Sequence, residues 1–168
     1  MARLGIACLL WGLLAPAILA QDLVAWRSMY RDAKDASTVN AMAETLQAHL
    51  DTHPDDLTAQ AFHATAMLMK ADHAWNPLDK LALFQDWKPQ LERAIAQSEG
   101  VLMADLVLLR MGVQAHVPSL LDYQSDLPDD ERMVRDALKA GHWKEDVVHQ
   151  TFVEDFLTYL EAKHASHD

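Results

Sequence analysis

Two stretches of this sequence are too apolar to lie along the surface of any protein as ordinary helices. From Leu57 to Ala71, Leu57, Ala61, Ala64, Leu68 and Ala71 recur at helical spacing, and Phe62, Ala66 and Met69 form a second stripe beside them. Only Gln60, His63, Met67 and Lys70 remain for a narrow polar side. The stretch from Val101 to His116 has the same character, with Leu102, Leu106, Leu109 and Val113 on one stripe and Ala104, Leu108, Met111 and Ala115 on the next. A helix that is apolar around most of its circumference must be packed on most of its faces. The fold therefore needs two central helices with further helices laid over them.

The rest of the chain supplies those helices. Five glycines and six prolines in 168 residues, with Ala, Leu, Met, Gln, Glu and Asp outnumbering the β-branched residues, favour helix over strand. The expected class is all-α, with stacked antiparallel helical hairpins and six or seven helical segments. Leu23, Trp26, Met29 and Tyr30 mark one stripe; Val39, Met42, Ala43, Leu46 and Leu50 mark another after Ser37, the expected N-cap. Pro54, Asp55 and Asp56 stand where the first central helix starts, and Asn76-Pro77 ends it. Leu78 to Gln97 reads as helix, with Pro89 expected to begin a fresh segment that turns Leu91, Ala94 and Ile95 inward. Pro118 stops the second central helix, and Ser119 to Leu127 is expected to be a loop or short turn. Pro128-Asp129-Asp130-Glu131 opens a helix closed by Lys139-Ala140-Gly141, with its acids at the positive end of the dipole. A last helix from about 143 to 163 is expected to bury Val148, Phe152, Val153, Phe156, Tyr159 and Leu160.

Leu57–Ile95 and Leu102–Leu138 share one plan: an apolar helix, a Pro-terminated end, a spacer and a shorter amphipathic helix. Hairpins that cannot bury their own faces stack on one another, which is the basis of helical repeat arrays. The segments Ala74-Trp75-Asn76-Pro77-Leu78-Asp79-Lys80-Leu81 and His116-Val117-Pro118-Ser119-Leu120-Leu121-Asp122-Tyr123, the second preceded by Leu109-Arg110, resemble paired landmarks in small exported tetratricopeptide-like proteins of Bacteroidetes-type bacteria. The resemblance spans Pro54 to Leu138. It implies a helical-hairpin fold and a place in the cell envelope, and it carries over no activity and no functional residue.

An address is written at the start of the chain. Arg3 is followed by an apolar run from Leu4 that closes on Ala17-Ile18-Leu19-Ala20, the layout of a secretory signal peptide with cleavage expected after Ala20. The expected organisation is leader 1–20, helical domain 21–163 and a frayed His-rich tail 164–168, with the product periplasmic or secreted. The run of 17 residues from Leu4 to Ala20 falls short of the ~20 needed to span a bilayer, and no later stretch is long and apolar enough to try. Cleavage would remove the sole cysteine, Cys8, leaving no disulfide framework, thiolate metal site or cysteine nucleophile. It would also take the formal charge, −11 for the whole chain, one unit further negative. Such acidity argues against nucleic acid or anionic lipid as a partner, since those require clustered Lys and Arg.

Few residues stand out as chemically suggestive. Arg110 interrupts an apolar helix, and a buried guanidinium must meet a carboxylate, a row of carbonyls or a ligand anion. An internal Asp or Glu is the expected partner; the functional alternative is a groove in which Arg110, Gln114 and His116 face a binding protein. Trp75, beside Lys80 and near Trp87, forms an aromatic corner that either anchors a partner or plugs the end of a hairpin, and the plug is favoured. Tyr123 on the loop after Pro118 has the same two readings. The expected role is a protein- or peptide-binding module with Trp75, Lys80, Arg110, His116 and Tyr123 as contacts on a groove flanked by the two central helices, without a cofactor. The competing class is a metal-binding protein or hydrolase using the histidines. His142-x-x-Glu145-x-x-x-His149 could present three zinc ligands on one helix face, and Met67-x-Met69-x-x-x-His73 could hold cuprous copper. Against this, His149 falls with Val153 and Leu160 on an apolar side, and Met69 belongs to the core stripe. Asp55-Asp56 and Asp129-Asp130-Glu131 are read as helix caps rather than acid–base pairs.

Overall fold

Short polar side chains set the helix boundaries. In the computed structural model, which describes residues 15–165, seven α-helices follow in order: α1 (Ala15–Asp32), α2 (Ala36–Leu50), α3 (Leu57–His73), α4 (Pro77–Gln97), α5 (Met103–His116), α6 (Leu127–Lys139) and α7 (Val147–Ala165). Two single 3-10 turns, Gly100–Leu102 and Ser119–Leu121, precede α5 and follow it. The described residues contain no strand. The expected leader lies largely outside the described residues; α1 runs through Ala20 and Gln21 without a break. Of the expected tail, His164 and Ala165 complete α7, and 166–168 lie outside the described residues.

The N-cap of α2 is Asp35 rather than Ser37. Its carboxylate accepts from Thr38 N at 2.9 Å while Thr38 Oγ1 accepts from Asp35 N at 3.1 Å, a reciprocal box that Ser37 does not enter. Asp56 caps α3 through Ala59 N at 3.0 Å, and Asn76 caps α4 through Leu78 N at 3.0 Å, with Pro77 supplying a first-turn residue that needs no donor. Gly141, at φ 75°, provides the left-handed residue just past α6. Pro89 does not start a new helix. It lies inside α4, where it and Gln85, whose carbonyl loses its donor, are both exposed residues. The last helix begins at Val147, four residues later than expected, and buries His149, Val153, Leu157 and Leu160 while leaving Val148 and Tyr159 exposed.

The two apolar stretches are buried over most of their length, although Val101, Leu102 and His116 at the ends of the second are exposed. Thr58, Ala59 and every residue from Ala61 to Ala66 are buried in α3, including His63, which packs edge-on to Trp87 instead of joining a polar side. In α5, all residues from Ala104 to Leu109 are buried. α3 lies against α2 on one side and α4 on the other, and α5 lies against α6. α3 and α5 also pack on each other, so the space between them is core and not the expected groove. In an array whose units touch only their neighbours, the first and last helices would lie apart. Here α1 contacts both α2 and α7, and α7 contacts α6, so the helices close around α5.

One close approach in this closure is testable. A Cβ on Gly112 would overlap the Tyr30 hydroxyl oxygen and stand 3.5 Å from Cζ, because α1 lays its phenol across α5 at this point. Gly112→Ala should therefore destabilise by about 1–3 kcal/mol despite alanine's better helix propensity. Tyr30→Phe removes the one atom in the way and should rescue Gly112→Ala in a denaturation double-mutant cycle.

Candidate functional site

The strongest polar constellation centres on Asp105, which the sequence pattern does not single out. It is 1% exposed in the first turn of α5. Arg27 of α1 donates to it twice, Nε to Oδ1 and Nη2 to Oδ2, each at 2.8 Å. His142 Nε2 donates to Oδ2 at 2.8 Å and Trp143 Nε1 to Oδ1 at 3.0 Å, both from the connection between α6 and α7. Burial alone would raise this carboxyl, but the hydrogen bonds from His142, Arg27 and Trp143 and the Arg27 charge outweigh it and hold the pKa at about 2.

Around this anion sits a second tier. Arg31 Nη1 lies 3.0 Å from His149 Nδ1 and 3.9 Å from Asp146 Oδ1. A guanidinium can only donate, so Nδ1 is the acceptor and the ring proton of neutral His149 sits on Nε2. That atom faces Asp105 Oδ1 at 3.9 Å and makes no hydrogen bond. Asp146 accepts from His149 N at 3.0 Å through Oδ1, while its Oδ2 lies 3.7 Å from Arg27 Nη1. Glu145 stands out in solvent, so His142, Glu145 and His149 do not form the metal triad considered from their spacing; the two histidines converge on a carboxylate instead. No group of three or more His, Cys, Asp or Glu among the described residues is placed to share a metal ion.

Arg110 anchors the other constellation. Its Nε and Nη2 donate to Asp130 at 2.7 and 2.6 Å, a bidentate fork, and Nη1 donates to Glu92 Oε2 at 2.9 Å. Asp130 stands in the first turn of α6 as expected, but it is also the buried partner of Arg110. Burial pushes its carboxyl up, aided by Asp126 and Glu92, against the opposing pull of Arg110. The chain turns through Asp122 at φ 46° and tucks Tyr123 inward, where its hydroxyl donates to Glu92 Oε1, its ring meets Phe84 edge-on and Lys88 lies 4.5 Å over its face. Two open concavities lie along α6, one of them rimmed by Arg110, Asp126, Asp129 and Arg132.

The five residues expected on one surface are dispersed. Arg110 and Tyr123 share the internal cluster. His116 is exposed, with Nδ1 2.7 Å from the Gly112 carbonyl oxygen and its ring stacked on Tyr159. Trp75 and Lys80 sit at the α3–α4 corner. Trp75 is 99% exposed, which overturns the plug, and Leu78 is 72% exposed on the next turn. Lys80 Nζ folds back on the Asp72 carbonyl oxygen at 3.3 Å. No family model, curated protein or solved structure matches this chain.

Proposed function

We propose that this chain is a protein-binding module of the cell envelope, exported by its leader and distantly akin to tetratricopeptide-like hairpin proteins, and that it engages its partner through the α3–α4 corner. The observation that carries this reading is Trp75, whose indole lies almost wholly in water with Leu78 and Leu81 exposed behind it on the first turns of α4. Tryptophan is the side chain most enriched at the energetic centres of interfaces, and a cluster of exposed large apolar groups marks an interaction surface more often than a free one. The shared plan of the α3–α4 and α5–α6 hairpins supports the kinship. The acidity of the chain favours a partner that flanks its apolar contact with basic residues.

A photo-crosslinking phenylalanine at position 75, in cells making the full chain, should give one discrete adduct with another protein. The same group at the exposed Gln97, at the far end of α4, should not. Adding Leu78→Ser should abolish the adduct, while Trp75→Ala should shift folding stability by no more than about 0.5 kcal/mol, as for a surface position. Absence of an adduct at position 75, or equal labelling from position 97, would remove the corner from consideration.

A further inference from the structure

Helix α1 is fastened differently from the others. Trp26 is buried, but the helix also turns two arginines inward, Arg27 and Arg31, one turn apart. They meet Asp105 from α5, Asp146 from the α6–α7 connection and His149 from α7, while His142 of the same connection donates to Asp105. His149 is 1% exposed, and its Nδ1 is bonded only as an acceptor for Arg31 at 3.0 Å. A proton on Nδ1 would place donor against donor and add a third positive charge beside Arg27 and Arg31, so the Arg31 contact has to break. We infer that α1 is a strap released by protons: protonation of His149 expels Arg31 and frees the second half of α1, from about Val24 to Asp32, while the core around α3 and α5 stays folded.

All the charged groups facing His149 enter the balance. Burial and the charges of Arg27 and Arg31 oppose its protonation, Asp105 and Asp146 favour it, and the result holds the imidazole at about 4, below its ordinary 6.5. His142, bonded to Asp105, adds a further charge to the cluster when it is protonated. With the strap released, His149 regains its ordinary value. Between pH 6.5 and about 4 the released state therefore binds a proton that the strapped state does not. Stability of the strap is lost as pH falls through that window, and the ratio of released to strapped rises by up to about tenfold per pH unit. Asp105 acts with the opposite kind of shift and in a lower window. Its carboxyl is held at about 2 against an ordinary 3.8, so its contribution is lost only below 3.8.

Amide hydrogen exchange on the full chain, corrected for intrinsic rates, reads this directly. Protection of Val24 to Asp32 should fall by up to about tenfold per pH unit from 6.5 towards 4 while α3 amides keep theirs. His149→Asn keeps an acceptor in the place of Nδ1 without a titrating ring, and its α1 protection should stay level across the same range. Level α1 protection in the unaltered chain, the same slope in His149→Asn, or parallel loss in α1 and α3 would each overturn the strap. Should His149→Asn not fold, the His149 ring titration followed by NMR in the unaltered chain decides, because a midpoint near 6.5 is incompatible with it.

Discussion

Asp105→Asn should remove about 3–5 kcal/mol of folding stability, the largest loss expected from any single polar substitution in this protein. Marginal stabilities of about 5–15 kcal/mol make that a substantial fraction of the whole. The reason is what remains behind. Arg27 is 6% exposed and has its two closest contacts on this carboxylate, so an amide leaves a guanidinium in the interior with only Asp146, at 3.7 Å, to answer it. His142 and Trp143 also point donors at the same two oxygens, and an asparagine nitrogen would face one of them donor to donor. The urea midpoint should fall with an unchanged slope if the native packing survives. Replacing both partners by apolar groups, Arg27→Met with Asp105→Leu, should be milder than Asp105→Asn alone, because the buried guanidinium is then no longer left without its carboxylate and Asp146 still faces Arg31. A double variant weaker than the single one would mean that the cluster contributes net attraction beyond its own desolvation.

Why Asp105 escapes a reading of the sequence is instructive. An acid in the first turn of an apolar helix looks like a dipole-compensating residue, and Asp105 sits in that position in α5. Its burial depends on Arg27, 78 residues earlier, and on Trp143, 38 residues later, and nothing local announces either. Arg27 and Arg31 likewise look like the polar side of an ordinary amphipathic helix. Asp130 imitates a cap for the same reason as Asp105. By contrast, the burial of α3 and α5 is legible because apolarity on every face leaves a helix no alternative, and the ends at Asp56, Asn76 and Gly141 are legible because capping is local chemistry. Pro89 misleads because proline is at home at a helix start. Its toleration inside α4 depends on that face being exposed, which periodicity alone does not fix. Trp75 marks the limit of composition: an indole beside a proline corner favours a plug, and only its exposure in the folded chain overturns that reading.

Arg110→Ala should lower stability by about 3 kcal/mol, and the deficit should depend on pH in a direction that identifies its cause. Arg110 is the shared donor for Asp130, which is 2% exposed, and for Glu92, which also accepts from Tyr123. Without the guanidinium, Asp130 keeps all the burial that raises its carboxyl and loses the hydrogen bonds and charge that oppose the rise. Its native pKa then moves further above the unfolded value of 3.8, and through the interval between them the native state binds a proton that the unfolded chain has released. Stability from such a group is present at low pH and is lost as pH rises, so Arg110→Ala should lie closer to the unaltered protein near about pH 5 than near about pH 8. Arg110→Lys should recover only part of the loss, since an ammonium cannot reproduce the parallel fork to both Asp130 oxygens. Denaturant titrations at the two pH values check both statements. A pH-independent deficit would assign the loss to packing of the arginine stem against α6. A negligible deficit would mean that the fork is not maintained in solution, which would return Arg110 to the surface as a contact for an acidic group on a partner.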